Sequence, residues 1–257
     1  MKKILLVLLF VIGFILALVI KQVFFTGLKL EHSKYIYNAT FMYNKSEENY
    51  LPVSVQTVKV AKKSVDDLLG TNNKDIDIFI LNEKKFEKVA YQDLIAGFYD
   101  EEKNAIYLRT SKPNLPIYFE NTLAHEYTHF RLIQVLKSND IISSKLPFWF
   151  HEGFATYVGE KIQTQWGENV DKSEFPLISF EQLNTHEQWD KVGGPYQQSY
   201  FAIEEIVERS GKEGVLNILN EMKNGEEFYS ALQHVTNLTM VEFENQIRLR
   251  IKQYGNS

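Results

Sequence analysis

The run His125-Glu126-Tyr127-Thr128-His129 places two imidazoles four residues apart with a carboxylate beside the first. On a helix, positions four apart share a face, so His125 and His129 can direct ring nitrogens at one cation. Glu126 is rotated by about 100° from His125. That offset sets its carboxylate beside a metal without ligating it, in position to take a proton from water. The chemistry such residues would perform together is metal-assisted hydrolysis.

Two histidines need a third ligand. Continuation as His-Glu-x-x-His-x-x-Gly-x-x-His would require Gly at 132 and His at 135, where the chain has Leu132 and Val135. A set of two His and one Glu instead draws its carboxylate from a later helix and leaves a fourth position open. Glu152 is the candidate, 23 residues beyond His129 in Trp149-Phe150-His151-Glu152-Gly153-Phe154-Ala155. Amid so many apolar neighbours an unpaired carboxylate would be costly, so Glu152 needs a partner. Gly153 leaves room for another backbone or a ligand to come close. His151 faces about 100° away from Glu152 and is expected beside the ligands or at the surface. His32, His186 and His234 have no partner at ligand spacing.

His-Glu-x-x-His followed by Leu-Pro-x-Trp-Phe-x-Glu-Gly-x-Ala, from Leu146 to Ala155, resembles the gluzincin zinc peptidases, and specifically the bacterial peptidase-MA-like family. Ala96-Gly97-Phe98-Tyr99-Asp100 with Ile106-Tyr107-Leu108 resembles that family's hairpin, and Tyr196-Gln197-Gln198-Ser199 its C-terminal half, so the likeness spans roughly residues 50–250. It implies a thermolysin-like zincin catalytic domain with a mixed sheet and a helical C-terminal lobe, and a substrate laid along an edge strand. By matching position it implies one Zn²⁺ held by His125, His129 and Glu152, with Glu126 as general base. Tyr196 matches the Tyr of the family's Tyr-x-x-Ser element and would donate to the oxyanion, a role Tyr200, one turn on, could also fill. The chain departs from thermolysin-type enzymes at Thr156, where an Asp supporting a zinc-bound His would stand.

The elements that must position these residues follow from periodicity. Residues 53–69, opened by Pro52 and closed by Gly70, repeat Val58, Ala61, Val65 and Leu68 at helical spacing. Residues 75–81 alternate as a strand, residues 35–43 suit a short strand, and 96–100 with 105–109 form a hairpin whose second strand, 105–109, is expected to line the cleft as an exposed edge. Helices are expected over 117–137 and 147–163 and again after Pro195, with an irregular stretch at 167–194. Thr239 with Glu242 forms a capping box for the last helix. Strands followed by helices indicate an α+β fold.

The composition is that of a folded protein, with 44% hydrophobic and 24% charged residues among 257. A net charge of −5 and the lack of a basic stripe argue against nucleic acid as a partner. With no cysteine, any metal must be held by His and carboxylates. Lys2 and Lys3 precede an unbroken apolar run at 4–20, about 25 Å as a helix, which suits one N-terminal transmembrane helix with the remaining chain outside the cytoplasm. A cleaved signal peptide, giving a secreted protein, is the alternative. The expected organisation is a membrane anchor at 1–25, a connecting segment at 26–49 and a zinc peptidase domain at 50–257. The expected function is a membrane-anchored zinc metallopeptidase acting on peptides or proteins. Its competitor is a catalytically silent, zinc-binding adaptor holding a protein partner in the same cleft.

Overall fold

The computed structural model describes residues 28–90, 95–110, 116–162, 177–185 and 195–255. Its N-terminal half is built on a mixed five-stranded sheet in the order β1-β2-β3-β5-β4. Strands β1 (His32–Ile36) and β2 (Ala39–Tyr43) form an antiparallel hairpin. Its two-residue turn, Tyr37-Asn38, has φ of 53° and 61°, the left-handed geometry that matches the twist of tight hairpins. Residues 35–43, expected as one strand, are therefore the end of one strand, a turn and a second strand. The hairpin belongs to the same sheet as the strands that follow it.

Helix α1 (Leu51–Leu69) then crosses over to β3 (Ile76–Leu81), which lies parallel to β2. Pro52 sits in the first turn of α1, where a missing N–H costs nothing, and Gly70 ends it at φ 80°. A single-turn helix α2 (Glu83–Phe86) leads toward the hairpin of β4 (Gly97–Asp100) and β5 (Ala105–Arg109). β5 runs parallel to β3, so it is interior, and β4 is the outer strand. The expectation that 105–109 forms the exposed edge is corrected by this pairing. The apolar run Ala105, Ile106, Tyr107 and Leu108 is buried throughout, as suits a strand with a neighbour on each side.

The second half is helical: α3 (Pro116–Ser138), α4 (Phe148–Ile162), α5 (Pro195–Ser210), α6 (Gly214–Lys223), α7 (Phe228–Thr236) and α8 (Met240–Gly255). The fold is thus α+β with a mixed sheet. The transmembrane helix expected to precede it is withdrawn. Among the described residues no helix is long and apolar enough to cross a membrane, and residues 4–20 lie outside them. Even the 23-residue α3 carries Glu120, His125, Glu126, His129 and Arg131. Of the irregular stretch at 167–194, only 177–185 falls within the described residues, and there Phe180 and Leu183 are buried. The capping box is present: Thr239 N donates to Glu242 Oε2 at 2.8 Å and Glu242 N to Thr239 Oγ1 at 3.3 Å.

Two cores meet along α1 and α3. Val58 and Ala61 of α1, with Leu123, Ala124, Tyr127 and Phe130 of α3, pack on the sheet. Further along the same helices, Val65, Leu68, Leu132 and Leu136 enter a helical core with Trp149. Trp149 is fully buried, its ring 4.6 Å from that of Phe180 and 5.6 Å from that of Phe228. Arg131 clamps the junction: Nη1 donates to Asp66 Oδ1 at 2.6 Å and Nη2 to the Gly70 carbonyl at 2.9 Å, satisfying the C-terminus of α1.

Contact between α4 and α5 depends on Gly153. A Cβ there would lie 2.5 Å from the Ser199 carbonyl oxygen and 2.8 Å from its carbon. On the same helix a Cβ at Gly159 would meet nothing nearer than 3.4 Å, at the Asn121 carbonyl oxygen. Gly153→Ala is therefore expected to cost about 1–3 kcal/mol by overpacking, which in a chain of this size lowers Tm by about 2–4 °C per kcal/mol. Gly159→Ala should be neutral or slightly stabilising, since Ala favours the helix. Thermal melts of the two variants make the comparison, and equal melting temperatures would show that α5 yields without cost.

Candidate metal centre and its pocket

His125 and His129 lie one helical turn apart on α3, between residues that pack on the sheet and residues that pack on the helical core. Burial of Ala124 and Thr128 fixes the helix rotation, and Thr128 satisfies its own hydroxyl by donating to the Ala124 carbonyl at 2.8 Å. α4 packs beside α3 and delivers Glu152 to the same point. The Nε2 atoms of the two histidines are 3.0 Å apart. Glu152 Oε2 is 3.3 Å from His125 Nε2, and its Oε1 is 3.5 Å from His129 Nε2. The three residues offer ligand atoms all within 4.8 Å of one another, so they form a cluster that could hold a metal ion. Their side chains remain 12–20% exposed, which leaves the cluster open to solvent on one side.

The electrostatics suit a cation. Burial lowers the pKa of His129 to about 3, with Glu152 opposing and His125 reinforcing the shift. Burial works against the Glu152 carboxylate, but the nearby histidines outweigh it and hold its pKa at about 2. At neutral pH the pair thus presents a free imidazole lone pair and a charged carboxylate, the forms that bind metals. Burial disfavours protonation of His125 as well, yet the adjoining Glu152 raises its pKa above the ordinary value. That proton must leave when a metal enters.

Glu126 is in the pocket but not among the converging ligand atoms. Its Oε2 accepts a hydrogen bond from the backbone N–H of Tyr99 at 2.9 Å, so the outer strand β4 holds the carboxylate in place. Burial pushes its pKa up to about 7, with His125 opposing. β4 comes this close because residue 97 is glycine. A Cβ there would sit 2.7 Å from Thr122 Cγ2 on α3 and 2.9 Å from the Tyr107 carbonyl oxygen.

A pocket of about 370 Å³ opens over these groups. Its walls are Ile95, Ala96 and Gly97 at the start of β4, Asn121 and Thr122 on α3, and Thr156, Gly159 and Glu160 on α4. Tyr196, at the start of α5, also lines it, 45% exposed and with its ring 6.3 Å from that of His125. Tyr200 is elsewhere: its hydroxyl donates to Glu204 at 3.1 Å and its ring packs on Tyr157 at 5.6 Å. His151 turns away from the cluster, with Nε2 3.2 Å from the Ser143 carbonyl oxygen. His234 pairs with Glu221 at the surface, His32 stacks on Tyr43, and His186 lies outside the described residues.

Two groups in the pocket were not singled out from the sequence. Thr156, noted only for replacing an expected Asp, has a buried Oγ1 with no hydrogen-bond partner among the described residues. Glu160 is the other, and burial raises its pKa to about 8 against a small opposing pull from His125. The available signal was spacing: Glu152, Thr156 and Glu160 follow at four-residue intervals and so share one face of α4.

No protein-family model matches the chain. It is 26% identical over 231 residues to the uncharacterized protein YhcO of Bacillus subtilis (strain 168), a match that spans 83% of this chain and 70% of the relative.

Replacing Glu152 by Gln removes the only charged ligand from the cluster while preserving its shape. Metal affinity, measured by competition with a chromogenic chelator, is expected to fall more than about tenfold, since even residues behind a ligand cost 10–100-fold when lost. An unchanged affinity would mean that Glu152 only neutralises the histidines.

Proposed function

We propose that the protein is a zinc-dependent peptidase of the gluzincin type, with His125, His129 and Glu152 as zinc ligands and Glu126 as general base. The observation that carries this is the separation of roles at one site. Three ligand atoms converge, while a fourth group, the Glu126 carboxylate, is held by a strand amide instead of joining the cluster. A site built only to bind a metal has no use for that fourth group.

The donor set fits zinc. Bonds of 2.0–2.1 Å in tetrahedral geometry put ligand atoms about 3.3 Å apart, and the separations here are 3.0, 3.3 and 3.5 Å. Two imidazoles and one carboxylate, with no thiolate, form the set of catalytic sites that keep one position open. Bound there, zinc supplies a Lewis acid that polarises a carbonyl and makes water easier to deprotonate.

The chain's own residues supply the rest. Glu126, raised by burial, accepts the proton of the attacking water and delivers it to the departing amine. Its hydrogen bond from Tyr99 keeps one carboxylate oxygen occupied, so the other is left to face the water. The outward side of β4 offers backbone groups near Gly97 to an extended peptide, the usual way a sheet edge takes up a strand. The hydroxyl of Tyr196, at the pocket rim, donates to the oxygen that gains charge as the carbonyl is attacked.

Glu126→Gln keeps shape and ligands and removes the base. Zinc content should be unchanged, and cleavage of a peptide library should fall by about 10²–10⁴. If zinc-loaded wild type cleaves no member of a broad panel, the adaptor reading gains instead. The pH profile is a second check. Glu126 must be ionised to act, and a nearby cation lowers its pKa below the value of about 7 set by burial. The acid limb of kcat/KM should therefore have its midpoint below 7, with rate lost as pH falls; a limb rising toward acid would exclude a carboxylate base.

A further inference from the structure

Glu160 has no part in the chemistry proposed above, yet it shares the pocket with Glu126 and His125. It lies eight residues beyond Glu152 on the same face of α4, about 12 Å along the helix axis, a distance that about four residues of extended chain would span. No Lys or Arg among the described residues lines the pocket. Among the described residues the Glu160 carboxylate has no ion pair or hydrogen bond, and its surroundings act on it through burial and the distant pull of His125.

A half-buried carboxyl without a partner is costly to ionise until a cation stands beside it, and Gln or Leu would fit the same wall at less expense. Between Glu152 and Glu160 lies Thr156, only 8% exposed, in the same wall, its Oγ1 unpartnered among the described residues. Glu160 thus brings to the cavity an acceptor with no partner among the described residues, which calls for a ligand rich in N–H donors. An ammonium group offers three donors and a guanidinium five.

We propose that Glu160 is the specificity determinant of the pocket and selects peptides carrying a cationic group near the scissile bond. The inference rests on the peptidase reading of the same site and names its substrate class. Two sources supply the same chemistry: the free α-ammonium of a short peptide, and a Lys or Arg side chain within a longer one. In either case the cation binds Glu160 as the backbone lies along β4, and a neutral residue at that place leaves Glu160 unpaired. Discrimination should be at least about tenfold, the usual effect of hydrogen bonds to a charged group.

The test separates binding from cleavage. In zinc-loaded Glu126→Gln protein, dissociation constants are measured for N-acetylated pentapeptide amides with lysine or norleucine at each position in turn, and for the unblocked all-alanine pentapeptide amide. They are then measured again with Glu160→Gln added, and with Glu160→Ala added as a second variant. The inference expects one lysine position, or the unblocked peptide, to bind at least about tenfold more tightly than its neutral counterpart, with the preference lost in both double variants and norleucine binding retained. A lysine preference identifies the side chain as the cation, and a preference for the unblocked peptide identifies the α-ammonium. Equal affinities for charged and neutral peptides, or a preference that survives both variants, overturns it, as does failure of every peptide to bind. If the preference is present but protein with Glu126 intact cleaves none of these peptides, the substrate class stands as a binding preference and the peptidase reading falls.

Discussion

The constraint on which the structure turns is the meeting of α3 and α4 around three side chains. His125 Nε2, His129 Nε2 and the Glu152 carboxylate must reach one point from two helices, and their separations of 3.0–3.5 Å leave little freedom in how those helices pack. Each helix is held from both sides. α3 carries sheet-facing Leu123 and Phe130 and lobe-facing Leu132 and Leu136. α4 carries Trp149 and Phe154 into the helical core. The cost of burying Glu152 is met only if the histidines stand beside it, so the polar cluster and the two apolar cores specify the same helix positions.

Around this meeting the glycines set distances that larger residues would forbid. Gly153 admits the backbone of α5 at Ser199, which brings Tyr196 to the rim of the pocket. Gly97 admits β4 against Thr122, which brings the Tyr99 amide to Glu126. Both follow from steric allowance at one atom, and each moves a whole element toward the site.

The local patterns were legible: the helices of residues 51–69, 116–138 and 148–162, the hairpin of residues 97–109, and the spacing of His125, Glu126, His129 and Glu152. Backbone periodicity and i,i+4 geometry are local properties, so they survive in a single sequence. What was missed is nonlocal. A hairpin pattern says that β4 and β5 pair but not which of them also pairs with β3, and the apolar character of residues 105–108 was the one hint that β5 is interior. Glu160 carried no signal of its own because the elements that share its pocket, α3 and β4, are distant in the chain. The apolar run at 4–20 suited a bilayer by length alone, and no helix within the described residues repeats that character.

The order of the sheet explains why Glu126 and the strand edge are tied together. In an antiparallel pair, alternate residues turn their N–H and C=O groups outward. Because β4 is outermost, the Tyr99 N–H faces away from β5, and it is spent on Glu126. Were β5 the edge, its parallel pairing with β3 would be lost and that amide would face a partner strand instead. An open edge normally invites aggregation, and short length is one remedy. β4 is only four residues long, and one of its outward donors is already engaged. What remains is the short stretch Ile95, Ala96 and Gly97, which lines the pocket and is unable to template a long sheet. The arrangement that limits unwanted strand pairing therefore leaves only a short stretch beside the pocket, and under the peptidase proposal it is there that an extended peptide would pair, its position along β4 setting which bond comes before Glu126.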